Sequence, residues 1–197
     1  DITTLWFQQE VKLGDRLTMA GGARYDDFSD FGTEWSPKAS LSYRLGERHR
    51  LRFSAGQGFR PPYFGELFLL TPPAFVGNPN LQPETATTYN GGYAWSGRRV
   101  QVSADYFRSR VENGITFDLS RQPFTYANLR TFVSQGTNLN ATWVLRGGFS
   151  PSVSYTYTRR EDQNGLEIGG FARHSTFLKL LWTQERWGLR ANLRGQV

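Results

Sequence analysis

The sequence contains no cysteine, which excludes disulfide bonds, thiolate metal sites and cysteine nucleophiles. It contains only two histidines, His49 and His174, which lie far apart and belong to no ligand or catalytic motif. It also has no Gly-x-Ser-x-Gly motif and no acid–base pair on a defined framework. We therefore predict no catalytic residue, no metal site and no cofactor, and we interpret the protein as a non-enzyme.

Long apolar runs are missing as well. The longest, such as residues 67–70, are a few residues long, whereas a membrane-spanning helix needs about 18 apolar residues in succession. A helical membrane protein is therefore excluded. A transmembrane β-barrel is not excluded, because its strands carry an apolar residue only at every second position.

The charge is basic, with 23 lysines and arginines against 17 acidic residues and a net charge of +6. The basic residues are spread along the sequence and form no clustered arm of the kind that binds nucleic acid. We therefore predict no nucleic-acid partner. The length of 197 residues suits one domain or part of a larger one.

An alternation of period two dominates the sequence and predicts an all-β protein. The ten strands predicted from it lie near residues 3–13, 16–26, 37–45, 50–58, 86–95, 99–110, 136–145, 149–158, 175–183 and 187–197. Short turns alternate with long loops, the long loops lying at 27–36, 59–85, 111–135 and 159–174. This asymmetry is typical of outer-membrane barrels, which have tight turns at one end and long loops at the other.

The alternation also assigns the residues to two faces. One face is apolar and includes Leu41, Val102 and Leu139, while most charged residues fall on the other. An apolar face suits either lipid contact or the interior of a soluble β-sandwich. Aromatic residues near the strand ends of the apolar face, such as Tyr43 and Trp95, favour the girdles of a membrane barrel.

An ordered series of motifs carries a resemblance to a known family. Residues 56–62 read GQGFRPP, and residues 77–84 read GNPNLQPE. Further matching steps are Tyr89–Tyr93, Val100–Phe107, Asn128, Gly136 and His174, with departures at Asn90, Asn138 and Ala172. The series resembles that of the TonB-dependent outer-membrane receptors, and it spans nearly the whole chain.

The resemblance implies an antiparallel up-and-down transmembrane β-barrel, of which residues 1–197 form a single partial domain with a wall of about ten strands. The plug domain and the closing strands of such a barrel are expected to lie outside this sequence. The implied function is active uptake of a scarce chelate, such as a siderophore or a cobalamin-like compound, across the outer membrane of a Gram-negative bacterium. The implied partners are outer-membrane lipid, the chelate, and TonB acting through the plug domain.

Two alternatives remain open at the level of the sequence. A passive outer-membrane porin would share the alternation and the loop asymmetry, although it would not need the motif series. A soluble β-sandwich that binds a ligand would place the apolar face inside.

The longest loop, 59–85, is the first candidate for ligand contact, because aromatic rings with a few polar groups are typical of recognition surfaces. Loop 111–135 is the second candidate and contains Phe117, Arg121, Phe124 and Arg130. The predicted ligand-binding residues are Arg60, Tyr63, Phe64, Phe75, Asn78 and Tyr126. Arg60 would suit an anionic chelate, but as part of the GFRPP motif it could equally fix the path of the chain.

A group of acidic residues in the predicted loop 27–36 is a weaker candidate. Asp26, Asp27, Asp30 and Glu34 offer oxygen ligands for a hard cation, but their spacing matches no calcium loop. We interpret them as solvent-exposed loop carboxylates.

Overall fold

The structure, a computed structural model, describes residues 1–29, 32–71, 75–118, 120, 122–168, 172–184 and 189–196. In chain order the elements are β1 (Ile2–Leu13), β2 (Leu17–Phe28), β3 (Gly32–Arg44), β4 (His49–Arg60), helix α1 (Phe64–Phe68), β5 (Leu70–Thr71), β6 (Phe75–Val76), β7 (Glu84–Ser96), β8 (Val100–Asp118), β9 (Phe124–Trp143), a 3₁₀ turn (Arg146–Gly148), β10 (Phe149–Asp162), β11 (His174–Gln184) and β12 (Leu189–Gln196). Within this part of the chain, no helix is long and apolar enough to cross a membrane.

The ten long strands form one antiparallel meander in the order β1-β2-β3-β4-β7-β8-β9-β10-β11-β12. Each strand pairs with the next long strand along the chain, so the predicted up-and-down wall of about ten strands is confirmed. The two-residue strands β5 and β6 pair with each other within the longest loop. Strand β6 also pairs with β9 in parallel, through Phe75 and Phe124, and this contact fastens the loop to the wall.

The register keeps the two faces separate across the sheet. Val11 lies opposite Met19, Met19 opposite Leu41, and Leu41 opposite Phe53, which forms an apolar row across four strands. The adjacent row on the other face contains Lys12, Thr18, Ser42 and Arg52. Since side chains alternate along a strand, a slip by one residue would exchange the two faces, and the apolar pattern therefore fixes the register.

The apolar face is the exposed one. Val102 and Leu139 are 37% and 47% exposed, and between Val102 and Phe107 of β8 the residues of the polar face are more buried than those of the apolar face. Among the described residues, the only buried hydrophobic side chains are Phe28, Leu67 and Leu81. A β-sandwich would cover its apolar face with a second sheet. The described strands form one sheet, so the sandwich alternative is wrong.

Two of the predicted long loops are largely strand. Strand β2 continues to Phe28 and β3 begins at Gly32, so little of the predicted loop 27–36 remains. Likewise, β8 and β9 extend through most of the predicted loop 111–135, to Asp118 and from Phe124. Beyond the band of the sheet in which every second residue is apolar, the backbone hydrogen bonds between the strands continue. The sequence therefore loses its alternation before the strands end.

The interpretation of Asp26 as a solvent-exposed loop carboxylate is also wrong. Asp26 lies in β2 and is only 4% exposed. Its carboxylate accepts hydrogen bonds from Thr4 Oγ1 at 2.7 Å and from Arg24 Nε at 2.7 Å. Asp30, from the same predicted loop, lies outside the described residues.

Candidate ligand-binding site at the long-loop edge

An ion-pair cluster closes the base of the longest loop. Arg60, the last residue of β4, lies opposite Glu84, the first residue of β7. The guanidinium donates from Nε to Glu84 Oε2 at 2.8 Å and from Nη2 to Glu84 Oε1 at 2.9 Å. It also donates from Nη1 and Nη2 to the two carboxylate oxygens of Glu66, at 3.0 and 3.2 Å. Arg60 therefore joins Glu84, at the far end of the loop, to Glu66 within the loop.

The electrostatics of this cluster favour its charged form. The hydrogen bonds with Glu84 and then Glu66 raise the pKa of Arg60 above its usual value. Burial of Glu84 opposes ionisation, but hydrogen bonds from Arg60 and from the Ile115 backbone N–H outweigh it and lower the pKa of Glu84. Glu66 is only 5% exposed, so its charge depends on Arg60 for compensation.

Helix α1 presents Glu66 to this cluster. The Tyr63 N–H donates to Glu66 Oε2 at 3.0 Å, while the Glu66 N–H donates to the Tyr63 carbonyl at 2.9 Å. These reciprocal bonds close the first turn of the helix. The far end of the loop packs on the same turn, because the Asn78 N–H donates to the Glu66 carbonyl at 2.9 Å. A Cβ at Gly77 would collide with the backbone of Leu67, so this close approach requires glycine.

The segment of residues 77–84 is fastened to β9 by amide side chains. Asn78 Nδ2 donates to the Tyr126 carbonyl at 2.8 Å. Asn128 accepts from the Gln82 N–H at 2.9 Å and donates to the Gln82 carbonyl at 2.8 Å. Asn128 Nδ2 also donates to the Asn113 carbonyl at 2.7 Å. The motif residues therefore act on backbone groups, and they hold the loop against the wall.

An aromatic cluster lies beside these bonds. The ring centroid of Phe75 is 5.6 Å from that of Phe117 and 5.7 Å from that of Phe124. The rings of Phe117 and Tyr126 are 4.3 Å apart. The hydroxyls of Tyr63 and Tyr126 are 3.4 Å apart, a long hydrogen bond that raises the pKa of Tyr126 to about 12. The phenol of Tyr126 is therefore neutral near pH 7 and able to donate a hydrogen bond.

Five of the six predicted site residues meet in one region. Arg60 joins it through Glu66 and Tyr63, while Tyr63, Asn78, Phe75 and Tyr126 contact β9 or one another. Phe64 lies apart, with its ring 5.2 Å from Phe68 and 77% exposed.

Sequence reasoning missed the roles of Glu66, Glu84 and Asn128 as the partners that fix the loop. Glu84 and Asn128 belong to the motif series, which was the available signal for a shared structural role. Glu66 carried no such signal, because its partnership with Arg60 depends on the short helix that presents it. Arg121, from the second candidate loop, lies outside the described residues.

The surface that results suits an apolar or aromatic ligand more than a bare anion. Tyr63 and Phe117 are 55% and 42% exposed, so their rings are available for contact. Arg60 already donates four hydrogen bonds to carboxylates, which leaves it a single N–H group for any other acceptor. In the part of the chain that the structure describes, no cluster of acidic and histidine side chains is arranged to hold a metal ion.

Comparisons with known proteins extend these observations. A model of the family described as "TonB dependent receptor-like, beta-barrel" matches residues 1–197. Among solved structures, the chain is similar to the siderophore receptor PirA from Pseudomonas aeruginosa, with 24% identity and a TM-score of 0.80, over 99% of this chain and 36% of that chain. It is also similar to a mutant of the ferric enterobactin receptor PfeA from Pseudomonas aeruginosa in complex with enterobactin, with 21% identity and a TM-score of 0.80, over 92% of this chain and 30% of that chain.

A third similar structure is the FrpB iron transporter from Neisseria meningitidis, with 16% identity and a TM-score of 0.73, over 99% of this chain and 32% of that chain. At these identities the likeness shows the fold. The chain spans about a third of the length of each of these three proteins.

Proposed function

Because this chain belongs to the family of TonB-dependent receptor-like β-barrels, we propose that it forms part of the wall of an outer-membrane transporter that takes up a scarce chelate with energy transmitted by TonB. The observation that carries the proposal is the family match over residues 1–197. Proteins of similar fold are a siderophore receptor and a ferric enterobactin receptor, which supports a siderophore as the class of cargo, with a cobalamin-like chelate as the alternative.

The proposal includes a location and a set of partners. The exposed apolar face contacts lipid in the outer membrane of a Gram-negative bacterium, because uncovered apolar surface of this extent is unfavourable in water. Residues 1–197 act as one partial barrel domain of a longer protein, whose plug domain receives the signal from TonB. The family is one of receptors and transporters, so the role is binding and transport with no enzymatic step.

The ligand surface is proposed to include the six predicted residues, with unequal roles. Tyr63, Phe64, Phe75 and Tyr126 offer rings and phenol hydroxyls at the long-loop edge, which would cover the apolar part of a chelate. Asn78 is engaged with the backbone of β9, and its contribution would be to hold that surface in place. The bonds of Arg60 to two carboxylates support the structural alternative, in which it positions the loop that carries the rings.

Ligand binding by the full-length receptor tests this assignment. The double variant Tyr63→Ala/Phe75→Ala is expected to weaken chelate binding by tenfold or more, since two contact rings are lost. Tyr89→Ala is the matched control, because Tyr89 is 57% exposed, close to the 55% of Tyr63, but lies on the apolar face of the wall. If barrel yield is normal and the double variant changes affinity by less than about twofold, well under the ~1.4 kcal/mol of a tenfold change, the assignment is wrong.

Arg60→Ala separates the two roles of this residue. A direct contact predicts weaker binding of anionic chelates only, with neutral chelates unaffected. A positioning role predicts an equal loss for both, together with a loop that is more easily cleaved by protease. The bonds to Glu66 and Glu84 favour the second result.

A further inference from the structure

The apolar face of β8, β9 and β10 changes in character toward the long-loop edge. Three successive rows of opposed residues lie on this face: an apolar row of Ala104, Leu139 and Tyr155, a tyrosine row of Tyr106, Thr137 and Tyr157, and a donor row of Arg108, Gln135 and Arg159. They share one face because residues two apart along a strand point to the same side of the sheet. The two arginines of the donor row are therefore exceptions to the rule that charged residues lie on the polar face.

Gln135 is the centre of the donor row. Its side-chain oxygen accepts hydrogen bonds from the Tyr106 hydroxyl at 3.1 Å and from Arg108 Nη1 at 3.3 Å. Because Arg108 can only donate, the oxygen of the amide must be the atom that faces it. The two N–H groups of the amide donate to no atom of the described part of the chain. They remain available between the two arginines.

The arginines of this region differ in how their charges are compensated. Arg159 contacts Glu161 of its own strand, although its side chain stays 46% exposed. Arg110, the next residue of β8 on the same face, pairs with Glu112. Arg108 is exposed and forms no ion pair with any residue that the structure describes. Three arginines and two carboxylates therefore lie in this region, which leaves an excess of positive charge at the donor row.

An excess of positive charge with an amide donor at its centre suits a phosphate group. A guanidinium binds phosphate oxygens through paired N–H groups. Adjacent strands are about 4.8 Å apart, so the two arginines of the row begin about 10 Å apart, with Gln135 midway between them. Both arginine side chains are long enough to reach one phosphate group that lies above the amide.

The position of the donor row selects the kind of phosphate compound. Leu139 in the apolar row is four residues from Gln135, which is about 13 Å along the strand. The apolar band of an outer-membrane barrel is about 25 Å tall, so with Leu139 near mid-depth the donor row lies where acyl chains give way to headgroups. The tyrosine row between them carries rings with polar hydroxyls, as is typical of a membrane–water interface. A lipid has the same order of groups, with a phosphate followed by acyl chains.

We propose that Arg108, Gln135 and Arg159 bind the phosphate group of an anionic membrane lipid, whose acyl chains lie over the tyrosine row and the apolar row. The proposal rests on the proposed function, since it requires the apolar face to lie in a membrane. The phosphate oxygens accept hydrogen bonds from the Gln135 amide and from both guanidinium groups. Inorganic phosphate would satisfy the same donors, but it would leave the tyrosine row and the apolar row uncovered.

The test measures lipid binding by the full-length receptor in a neutral detergent, with native mass spectrometry to count the lipid molecules that each receptor retains. The probes are phosphatidylglycerol and phosphatidylcholine with the same acyl chains, of which only the first has a net negative charge. We expect the wild type to bind phosphatidylglycerol about fivefold more tightly than phosphatidylcholine. Inorganic phosphate at millimolar concentration is expected not to displace the lipid, because it has no acyl chains to bury.

Variants of the donor row are compared with matched changes elsewhere in the wall. Gln135→Glu keeps the acceptor for Tyr106 and Arg108 but replaces two donors with a negative charge, so it should abolish the preference for phosphatidylglycerol. Asn140→Asp makes the same isosteric change on the polar face and should leave the preference unchanged. Arg108→Gln should remove most of the preference, whereas Arg44→Gln, which removes an exposed arginine at the short-turn edge, should not. Heat-modifiable migration of each variant confirms that the barrel has folded.

Three results would overturn the proposal. They are equal affinities of the wild type for the two lipids, the same behaviour of Gln135→Glu and Asn140→Asp, and displacement of the lipid by inorganic phosphate, which would make the row a site for free anions. Chelate binding by the same preparations reports on the proposed function separately. Normal chelate binding with equal affinities for the two lipids counts against the lipid site alone, whereas preferential lipid binding without chelate binding counts against the proposed cargo alone.

Discussion

The arginines at the two edges of the sheet differ in whether they form ion pairs. At the long-loop edge several arginines are paired with carboxylates of the same chain, as in the contacts of Arg24 with Asp26, Arg60 with Glu84, and Arg110 with Glu112. At the short-turn edge, three exposed arginines form no such pair among the described residues: Arg16, Arg44 and Arg50. A basic composition that is evenly spread in the sequence thus becomes two different surfaces, one in which several arginines are paired and one in which three exposed arginines are not.

The difference in ion pairing follows from the kind of connection at each edge, which is a long loop at one and a tight turn at the other. Long loops carry exposed backbone and need side-chain bonds to fix their path, which Arg60, Glu84 and Asn128 supply. Tight turns are fixed by the strand ladder itself, so their side chains are not needed for local structure. Unpaired charge at a turn edge therefore costs the fold little.

The largest effect is expected for a charge placed on the apolar face, in the band of the strands that lies between the two edges. Leu139→Arg places a charge on the apolar face and is expected to destabilise the folded receptor in lipid vesicles by about 2–4 kcal/mol. Asn140→Arg, one residue further on the polar face, should fold nearly as well as the wild type. The same difference is expected between Leu41→Asp and Ser40→Asp, and between Val102→Asp and Ser103→Asp. Equal folded yields within these pairs would show that the two faces are assigned wrongly.

The next effect contrasts the two edges directly. Arg60→Ala leaves the buried carboxylate of Glu66 without its partner and is expected to destabilise the long-loop edge by roughly 2 kcal/mol, less than for a fully buried pair because Arg60 is partly exposed. Arg44→Ala removes an unpaired charge and should change barrel stability by less than about 0.5 kcal/mol. Denaturant unfolding in lipid measures both. A loss for Arg44→Ala as large as that for Arg60→Ala would remove the distinction between the edges.

A smaller effect is expected at Asn128, which bonds to the backbone of Gln82 and Asn113. In Asn128→Ala these backbone groups lose their partner and must bond to water instead, which should lower the local stability of the loop by about 1–2 kcal/mol. Faster hydrogen exchange of residues 77–84 would report the loosened loop, while exchange at the short turns stays unchanged. Protection of residues 77–84 at the wild-type level would mean that the amide does not fasten them.

The smallest effect concerns pH. The pKa of Glu84 is lowered in the folded state, so its ionised form contributes stability above the unfolded pKa of about 4.3, and this contribution is lost as pH falls through the folded value. Protease resistance of the loop should be constant from neutral pH down to about pH 5 and then decline. Glu84→Gln should be less resistant at neutral pH and should show a weaker decline. An identical acid profile in the two proteins would contradict the role given to this carboxylate.

The middle of each strand could be predicted from the sequence, whereas the upper ends could not. Leu41, Val102 and Leu139 lie on one face, as the alternation predicts, in the band of the sheet where every second residue is apolar. Residues such as Phe117 and Tyr126 lie in strands above that band, where nothing imposes the pattern. The predicted loops 27–36 and 111–135 were too long for this reason.

The candidate site shows the same division. The six residues were selected by type and by their place in long loops, and five of them do meet. Their arrangement depends on helix α1, which brings Glu66 to Arg60, and on Asn128, which bonds to Gln82, 46 positions earlier in the chain.

By itself, the sequence determined the fold class, the two faces of the wall and the family, because period-two alternation and an ordered series of motifs are local properties of the chain. Only the tertiary structure decided which charges are paired and which are free. Arg60 and Arg44 are each the last residue of a strand of alternating residues and cannot be told apart by composition. One lies where a long loop folds back with two carboxylates, and the other lies where a tight turn and the register place a second arginine opposite it.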